Sequence, residues 1–196
     1  MAAITYPKTW VDVCNRGLSP LGAKAITTMD EGTDRSKLCI LHLSQAVETI
    51  VQGYDWHCLT TRVELVQSET EPTYEFAYKY ELPANFGRSL EIWPKGFEFS
   101  IEEGFLFTDM DEEVYIKYIR VPTDDPTDVP GALLNAISLE LCSLLCFPLT
   151  SNAALQERIE IKSRAARLAA VNQDNRSIDA DAVRKYDGID YTEEVR

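Results

Sequence analysis

An α+β fold is predicted for this 196-residue chain, because its hydrophobic period changes twice along the sequence. In the first and last thirds, apolar residues recur every three to four positions, as on one face of a helix. The middle third has short runs of β-branched and aromatic residues in partial alternation, which is typical of half-buried strands. We therefore expect a helical bundle core with an inserted β-rich domain and an extended C-terminal tail.

The first predicted segment of the helical domain, residues 1–56, contains two helices. The first helix covers residues 8–18 and ends at Ser19-Pro20, since a proline disfavours helical backbone before it. The second helix is capped by the side chain of Thr33 and ends at Gly53. Its apolar side is expected to comprise Leu38, Leu41, Val47, Ile50 and Val51.

Residues 57–128 are predicted to form the β-rich insertion. Turns are expected at Pro94-Lys95-Gly96 and at Glu102-Glu103-Gly104, where proline and glycine interrupt the apolar runs. The expected strands cover residues 60–66, 74–82, 88–93, 97–101, 104–108 and 113–121.

Residues 129–172 are predicted to complete the helical domain with two further helices. The first is apolar nearly all round, which indicates burial on several faces, and Pro148 is expected to end it. Polar residues interrupt this stretch, so it is not expected to span a membrane. The second covers residues 152–172, and its apolar residues are Leu155, Ile159, Ala166 and Leu168.

The last 24 residues, 173–196, are polar and charged without an apolar period, and we expect a tail that is extended or prone to disorder.

The chain carries 32 acidic and 19 basic residues, a net charge of −13. Proteins that bind DNA through its phosphates do so with lysine and arginine, so that class of function is not expected. Residues 98–128 hold ten acids and two bases, which predicts either a surface that repels DNA or a solvated outer face. The five cysteines are scattered and lack metal-binding spacing. We therefore expect reduced thiols and do not expect a zinc site.

Short motifs follow one another in a specific order between residues 18 and 170. The strongest is Tyr-Lys-Tyr-Glu-Leu-Pro-Ala-Asn at 78–85, an aromatic strand that runs into a turn. Others are Leu21-Gly22, Ile26, Asp30-Glu31-Gly32-Thr33, Cys39, Val51, Tyr54-Asp55-Trp56, Thr61-Arg62, residues 115–119 and Asp124. This series resembles the head-to-tail adaptor, or tail tubular, proteins of short-tailed bacteriophages. Asp55 stands where many relatives have proline, and Asn85 replaces an acidic turn residue of the family.

The resemblance implies a structural protein that is not an enzyme and needs no cofactor. Relatives form a dodecameric ring with helices packed side by side, so the implied partners are the portal protein, further copies of the chain and the next tail component, a nozzle or tail tube. DNA would pass through the channel without specific binding, no membrane would be involved, and the protein would lie in the neck or tail of the virion after assembly in the host cytoplasm. The C-terminal segments of relatives commonly reach the portal, which implies portal contacts by Tyr186, Ile189, Tyr191 and Val195.

Four neighbouring acids, Asp109, Asp111, Glu112 and Glu113, offer the oxygen ligands that Ca²⁺ or Mg²⁺ prefers. An EF-hand loop requires glycine at its sixth position, and Val114 stands there instead. We therefore expect an exposed acidic turn at these residues.

Other candidate side chains also favour structural roles. His42 and His57 have no acid or nucleophile at a catalytic spacing in the sequence, and Cys142 and Cys146 lie one helical turn apart among apolar residues. Trp56, beside Tyr54, would stack on a base or sugar or, more commonly, pack in the core. A tail-associated hydrolase and a monomeric cytosolic interaction module remain the alternatives to an adaptor.

Overall fold

Helices and antiparallel strands occupy separate stretches of the chain in the computed structural model, in agreement with the α+β prediction. The structure describes residues 9–111 and 113–187, and side-chain positions as far as Ser177. The chain divides into two compact units. The helical unit comprises the described part of Met1–Ile50, Trp56–Cys58 and Asp124–Arg196, and the β unit comprises Val51–Asp55 and Leu59–Thr123.

In the described part of the helical unit there are four α-helices: α1 (Trp10–Leu18), α2 (Asp34–Gln52), α3 (Gly131–Thr150) and α4 (Ala153–Asp187). Thr9 caps α1 through a reciprocal pair of hydrogen bonds with Asp12, which satisfies backbone N–H groups that the first turn leaves free. The predicted cap of α2 is confirmed, because the Thr33 hydroxyl accepts a hydrogen bond from the Ser36 N–H at 3.3 Å.

Helix α3 lies at the centre of this unit. By length and composition it is apolar enough to cross a membrane, but ten of its residues are buried inside the protein, as the prediction of a helix buried on several faces requires. Leu141 and Leu145 pack with Cys14 and Leu18 of α1. The two backbones approach closely at Gly17, where a Cβ atom would lie 3.0 Å from the carbonyl oxygen of Ser138.

Two predicted helix ends are wrong. Helix α3 continues past Pro148 to Thr150, because a proline this close to the C-terminus removes one hydrogen bond without stopping the last turn. Helix α4 continues past residue 172 to Asp187, so residues 173–187 are helical instead of extended. The Asp174 side chain anchors this part of α4, since it is buried and accepts hydrogen bonds from the backbone N–H groups of His57 and Cys58.

Within the described residues, the β unit contains seven strands in two antiparallel sheets. The first sheet has the order β1-β7-β4, and the second has the order β2-β3-β6-β5. The strands are β1 (Thr60–Glu64), β2 (Val66–Gln67), β3 (Tyr78–Glu81), β4 (Phe86–Trp93), β5 (Phe99–Glu102), β6 (Phe105–Thr108) and β7 (Tyr115–Arg120).

One core joins residues of both sheets, including Tyr80, Leu106, Ile116 and Tyr118. The expected strand from residue 74 begins only at Tyr78, because Glu75 has a φ of 73° and an extended strand cannot pass through that conformation.

Two short segments of the helical unit adjoin the β unit in sequence, and both are held by helices. On one side, His57 and Cys58 donate to Asp174 of α4 at 2.7 and 3.1 Å. On the other, the indole N–H of Trp10 donates to the carbonyl oxygen of Asp124 at 2.9 Å, next to a bond from the Trp10 N–H to Asp125. The chain therefore leaves and re-enters the helical unit at fixed points.

Candidate assembly surfaces

Helix α4 carries apolar side chains on two different faces. Ile159, Ala166 and Ala170 are buried against the helical unit. Ile161 and Leu168, seven residues apart, are 61% and 62% exposed. Seven residues are close to two helical turns, so these two side chains lie on one outward stripe.

Helix α2 has a second outward apolar pair. Ile40 is 50% exposed and Leu41 is 66% exposed. The preceding residue of α2, Cys39, is fully buried in the core that α2 shares with α1. Large apolar side chains grouped on the outer faces of helices are a common sign of a contact with another protein.

Two residues were therefore assigned to the wrong faces by the sequence pattern. Leu41 and Leu168 were expected on the apolar sides of their helices, but both point to solvent. The physical reason is that a helix with apolar residues on opposite sides has more than one apolar face. The spacing of its apolar residues therefore does not indicate which face packs inward.

The outward stripe of α4 also differs in charge from the rest of the chain. Residues 153–177 carry five basic and three acidic side chains, a net charge of +2, whereas the whole chain carries −13. The exposed charged residues in this range are four bases and one acid, Arg158, Lys162, Arg164, Arg176 and Glu157. The exposed charged residues of α2 are two acids and one base, Asp34, Glu48 and Lys37. The α4 surface is thus basic and apolar, and the α2 surface is slightly acidic and apolar.

The acidic residues after β6 make local contacts in the β unit. Asp109 accepts a hydrogen bond from the Ala77 N–H at 2.9 Å, and Glu113 accepts one from the Tyr115 hydroxyl at 2.6 Å. The carboxylate of Glu113 raises the pKa of Tyr115 to about 12. In the part of the chain that the structure describes, no three acid, histidine or cysteine side chains come together as a metal site, and Glu112 lies outside that part.

The remaining candidate side chains have structural surroundings. Cys142 and Cys146 are fully buried, as predicted, and burial raises the pKa of Cys142 to about 12, so its thiol is protonated at neutral pH. Trp56 is also buried, and its indole N–H donates to the Ile50 carbonyl oxygen at 2.9 Å, which confirms a core position. His57 is exposed and bonds through its backbone N–H to Asp174.

Several residues of the motif series hold turns in place. The Glu31 carboxylate accepts hydrogen bonds from the Thr27 N–H and hydroxyl and from the Thr33 hydroxyl, which lower its pKa to about 2. Asn85 accepts a hydrogen bond from the Tyr118 hydroxyl at 2.9 Å. Asp55 forms an ion pair with Arg88. The Glu31 carboxylate therefore fixes local backbone geometry, whereas Asn85 and Asp55 contact side chains that are distant in the sequence.

The sequence interpretation missed the anchoring role of Asp174 and the outward stripe of α4. A signal for the stripe was present, since Ile161 and Leu168 follow a heptad spacing that is out of phase with Ile159, Ala166 and Ala170. No comparable signal points to Asp174, because its partners are backbone N–H groups more than one hundred residues away.

The predicted portal-binding residues Ile189, Tyr191 and Val195 lie outside the described residues, as does the side chain of Tyr186.

Neither the models of known protein families nor the curated proteins contain a match to this chain.

Proposed function

We propose that this chain is a head-to-tail adaptor of a tailed bacteriophage, a non-enzymatic subunit that assembles as a ring on the portal. The ring would join the portal to the next tail component and line the channel through which DNA passes. The sequence resemblance over residues 18–170 is what supports this family. The observation that carries the proposal is the pair of outward apolar surfaces on α4 and α2.

These surfaces favour a ring over a symmetric dimer. A two-fold contact would place the basic stripe of α4 against itself, and like charges would then oppose one another. In a contact between α4 of one copy and α2 of the next, a basic surface meets a slightly acidic one. At the two ends of such a series of copies, one α4 surface and one α2 surface stay uncovered and can bind further copies. Such heterologous contacts close into rings when the rotation between copies allows it.

The small size of the surfaces favours assembly on a template. The exposed side chains that form them are Ile161 and Leu168 on α4, and Ile40 and Leu41 on α2. Burying the exposed parts of these four side chains supplies roughly 4–7 kcal/mol, since a side chain of this kind contributes about 1.5–3 kcal/mol when it is buried fully. Association must first offset a loss of translational and rotational entropy of about 4–15 kcal/mol. We therefore expect a monomer or a weak oligomer in solution and a ring when the portal holds the copies together.

The negative charge of the chain agrees with a channel that DNA crosses without stopping. Residues 98–128 carry ten acids and two bases, and such a surface repels phosphate groups instead of binding them.

The test is assembly of the purified chain with and without portal, followed by light scattering and electron microscopy. The variant I161E/L168E should keep the helical content and thermal stability of the wild type, because both side chains already lie in solvent, and it should fail to form rings on the portal. Val66→Glu is the matched control, since Val66 is 71% exposed but lies in the β unit. A wild-type chain that ignores the portal would contradict the adaptor function, and normal rings from the double variant would contradict the interface.

A further inference from the structure

The core of the helical unit brings two cysteines of different helices together. Cys14 of α1 and Cys39 of α2 are 25 positions apart in the sequence, and both are fully buried in the same hydrophobic cluster. The Cys14 thiol hydrogen-bonds to the Cys39 thiol, and its sulfur lies 3.9 Å from the thioether sulfur of Met29 in the connection between the two helices. Both cysteines are free thiols, so the pair is reduced and in contact.

This contact prepares one of the two sulfurs as a nucleophile. The hydrogen bond with Cys39, together with burial, raises the pKa of Cys14, which therefore keeps its proton at neutral pH. The same hydrogen bond lowers the pKa of Cys39, although burial opposes this effect. Because the thiolate is the reactive form of cysteine, Cys39 is the sulfur that reacts first with an oxidant, and the Cys14 thiol lies beside it as the second partner.

The other pair of buried cysteines in this unit offers a contrast. Cys142 and Cys146 are also fully buried, but they lie one turn apart on the single helix α3. Residues at this spacing have Cβ atoms about 5–6 Å apart. A disulfide requires a Cβ–Cβ distance of about 3.5–4.5 Å. An intact α3 therefore keeps this second pair reduced.

We infer that Cys14 and Cys39 form a disulfide within the folded helical unit when a peroxide reaches them, and that this bond locks α2 to α1. Ile40 and Leu41 follow Cys39 directly, so the bond would also fix the α2 surface relative to α1. This chemistry does not depend on ring formation or on the proposed function. In a virion, release from the reducing host cytoplasm would supply the oxidising surroundings.

The reaction has two steps when hydrogen peroxide is the oxidant. The ionised sulfur of Cys39 attacks one peroxide oxygen, the O–O bond breaks, and the departing hydroxide takes up a proton to become water, which leaves a sulfenic acid on Cys39. The sulfur of Cys14 then attacks the sulfur of Cys39, the S–O bond breaks, and the departing hydroxide leaves as water with the proton of Cys14. Two thiols are oxidised to one disulfide, and one peroxide is reduced to two waters.

The test is peptide mapping of the folded full-length chain after treatment with hydrogen peroxide. The chain carries Cys58→Ser, because Cys58 is half-buried and lies in the same tryptic peptide as Cys39, residues 38–62. After the remaining thiols are alkylated, we expect peptide 9–16, which contains Cys14, to be joined to peptide 38–62. The joined product should have two hydrogen atoms fewer than the two peptides together.

Two matched variants and one unmodified peptide serve as controls. Cys39→Ala should reduce the joined product more than tenfold, whereas Cys142→Ala, an equal change at another fully buried cysteine, should leave it unchanged. Peptide 121–158 contains both Cys142 and Cys146 and should carry two alkylated thiols after the same treatment.

Stability measurements show whether the bond fits the native packing. The bond closes a loop of 25 residues in the unfolded chain, so oxidation should make the unfolding equilibrium constant smaller by on the order of a hundredfold in urea titrations. Mixed ¹⁴N- and ¹⁵N-labelled chains should give joined peptides with one label only. Three results would overturn the inference: no joined product from the folded chain, a product that joins different chains, or an oxidised chain that is less stable than the reduced one.

Discussion

Replacing Asp174 by alanine should destabilise the helical unit by about 3 kcal/mol. The carboxylate is 5% exposed and accepts hydrogen bonds from the N–H groups of His57 at 2.7 Å and Cys58 at 3.1 Å. Hydrogen bonds to charged groups contribute about 1.5–3 kcal/mol each. Because His57 is exposed and Cys58 is half-buried, water can reach the two freed N–H groups and recover part of the loss, which places the total near the lower end.

Asp174→Asn should cost about half as much, because the amide oxygen can accept one N–H while the amide NH₂ group faces the other. Urea unfolding gives the free energy of unfolding, and amide exchange at His57 and Cys58 reports the anchor directly. Asn172→Ala, at an exposed position on the same helix, is the control. The reasoning is refuted if Asp174→Ala unfolds within about 0.5 kcal/mol of that control, the range of ordinary surface substitutions.

Two further predictions concern a close backbone contact in the β unit and a turn in the helical unit. Gly87→Ala should destabilise the β unit by about 1–3 kcal/mol, because the new Cβ atom would lie 2.8 Å from the Ile119 carbonyl oxygen, and thermal unfolding that matches the wild type would contradict this contact. Glu31→Gln should be less stable than the wild type above the usual carboxyl pKa of 4.5, and the difference should shrink as the pH falls from 4.5 through the folded-state pKa of about 2. This sign follows because a lowered pKa means that the folded state favours the ionised carboxylate, and a difference between the two proteins that is constant from pH 6 to pH 2 would contradict it.

The alternation of helical and strand periods was sufficient to predict the fold class and the positions of most elements. These features are local: a cap such as Thr33 bonds within three residues, and the apolar composition of α3 indicates burial whatever packs against it. Core positions of Trp56, Cys142 and Cys146 were predicted for the same reason, since their own apolar character favours burial.

Tertiary structure decided that α4 continues past residue 172 and which of its faces is outward. The local sequence after residue 172 is polar and does not predict a continued helix. Asp174 is nevertheless held by the backbone N–H groups of residues 57 and 58, which are more than one hundred residues away in the sequence. Ile159 and Leu168 are similar in hydrophobicity, yet the first is 3% exposed and the second 62% exposed. The exposed fractions differ because one side of α4 faces α3 and the other does not. The helical period of a sequence defines the angle between two faces of a helix, but it does not define which face packs against the rest of the protein.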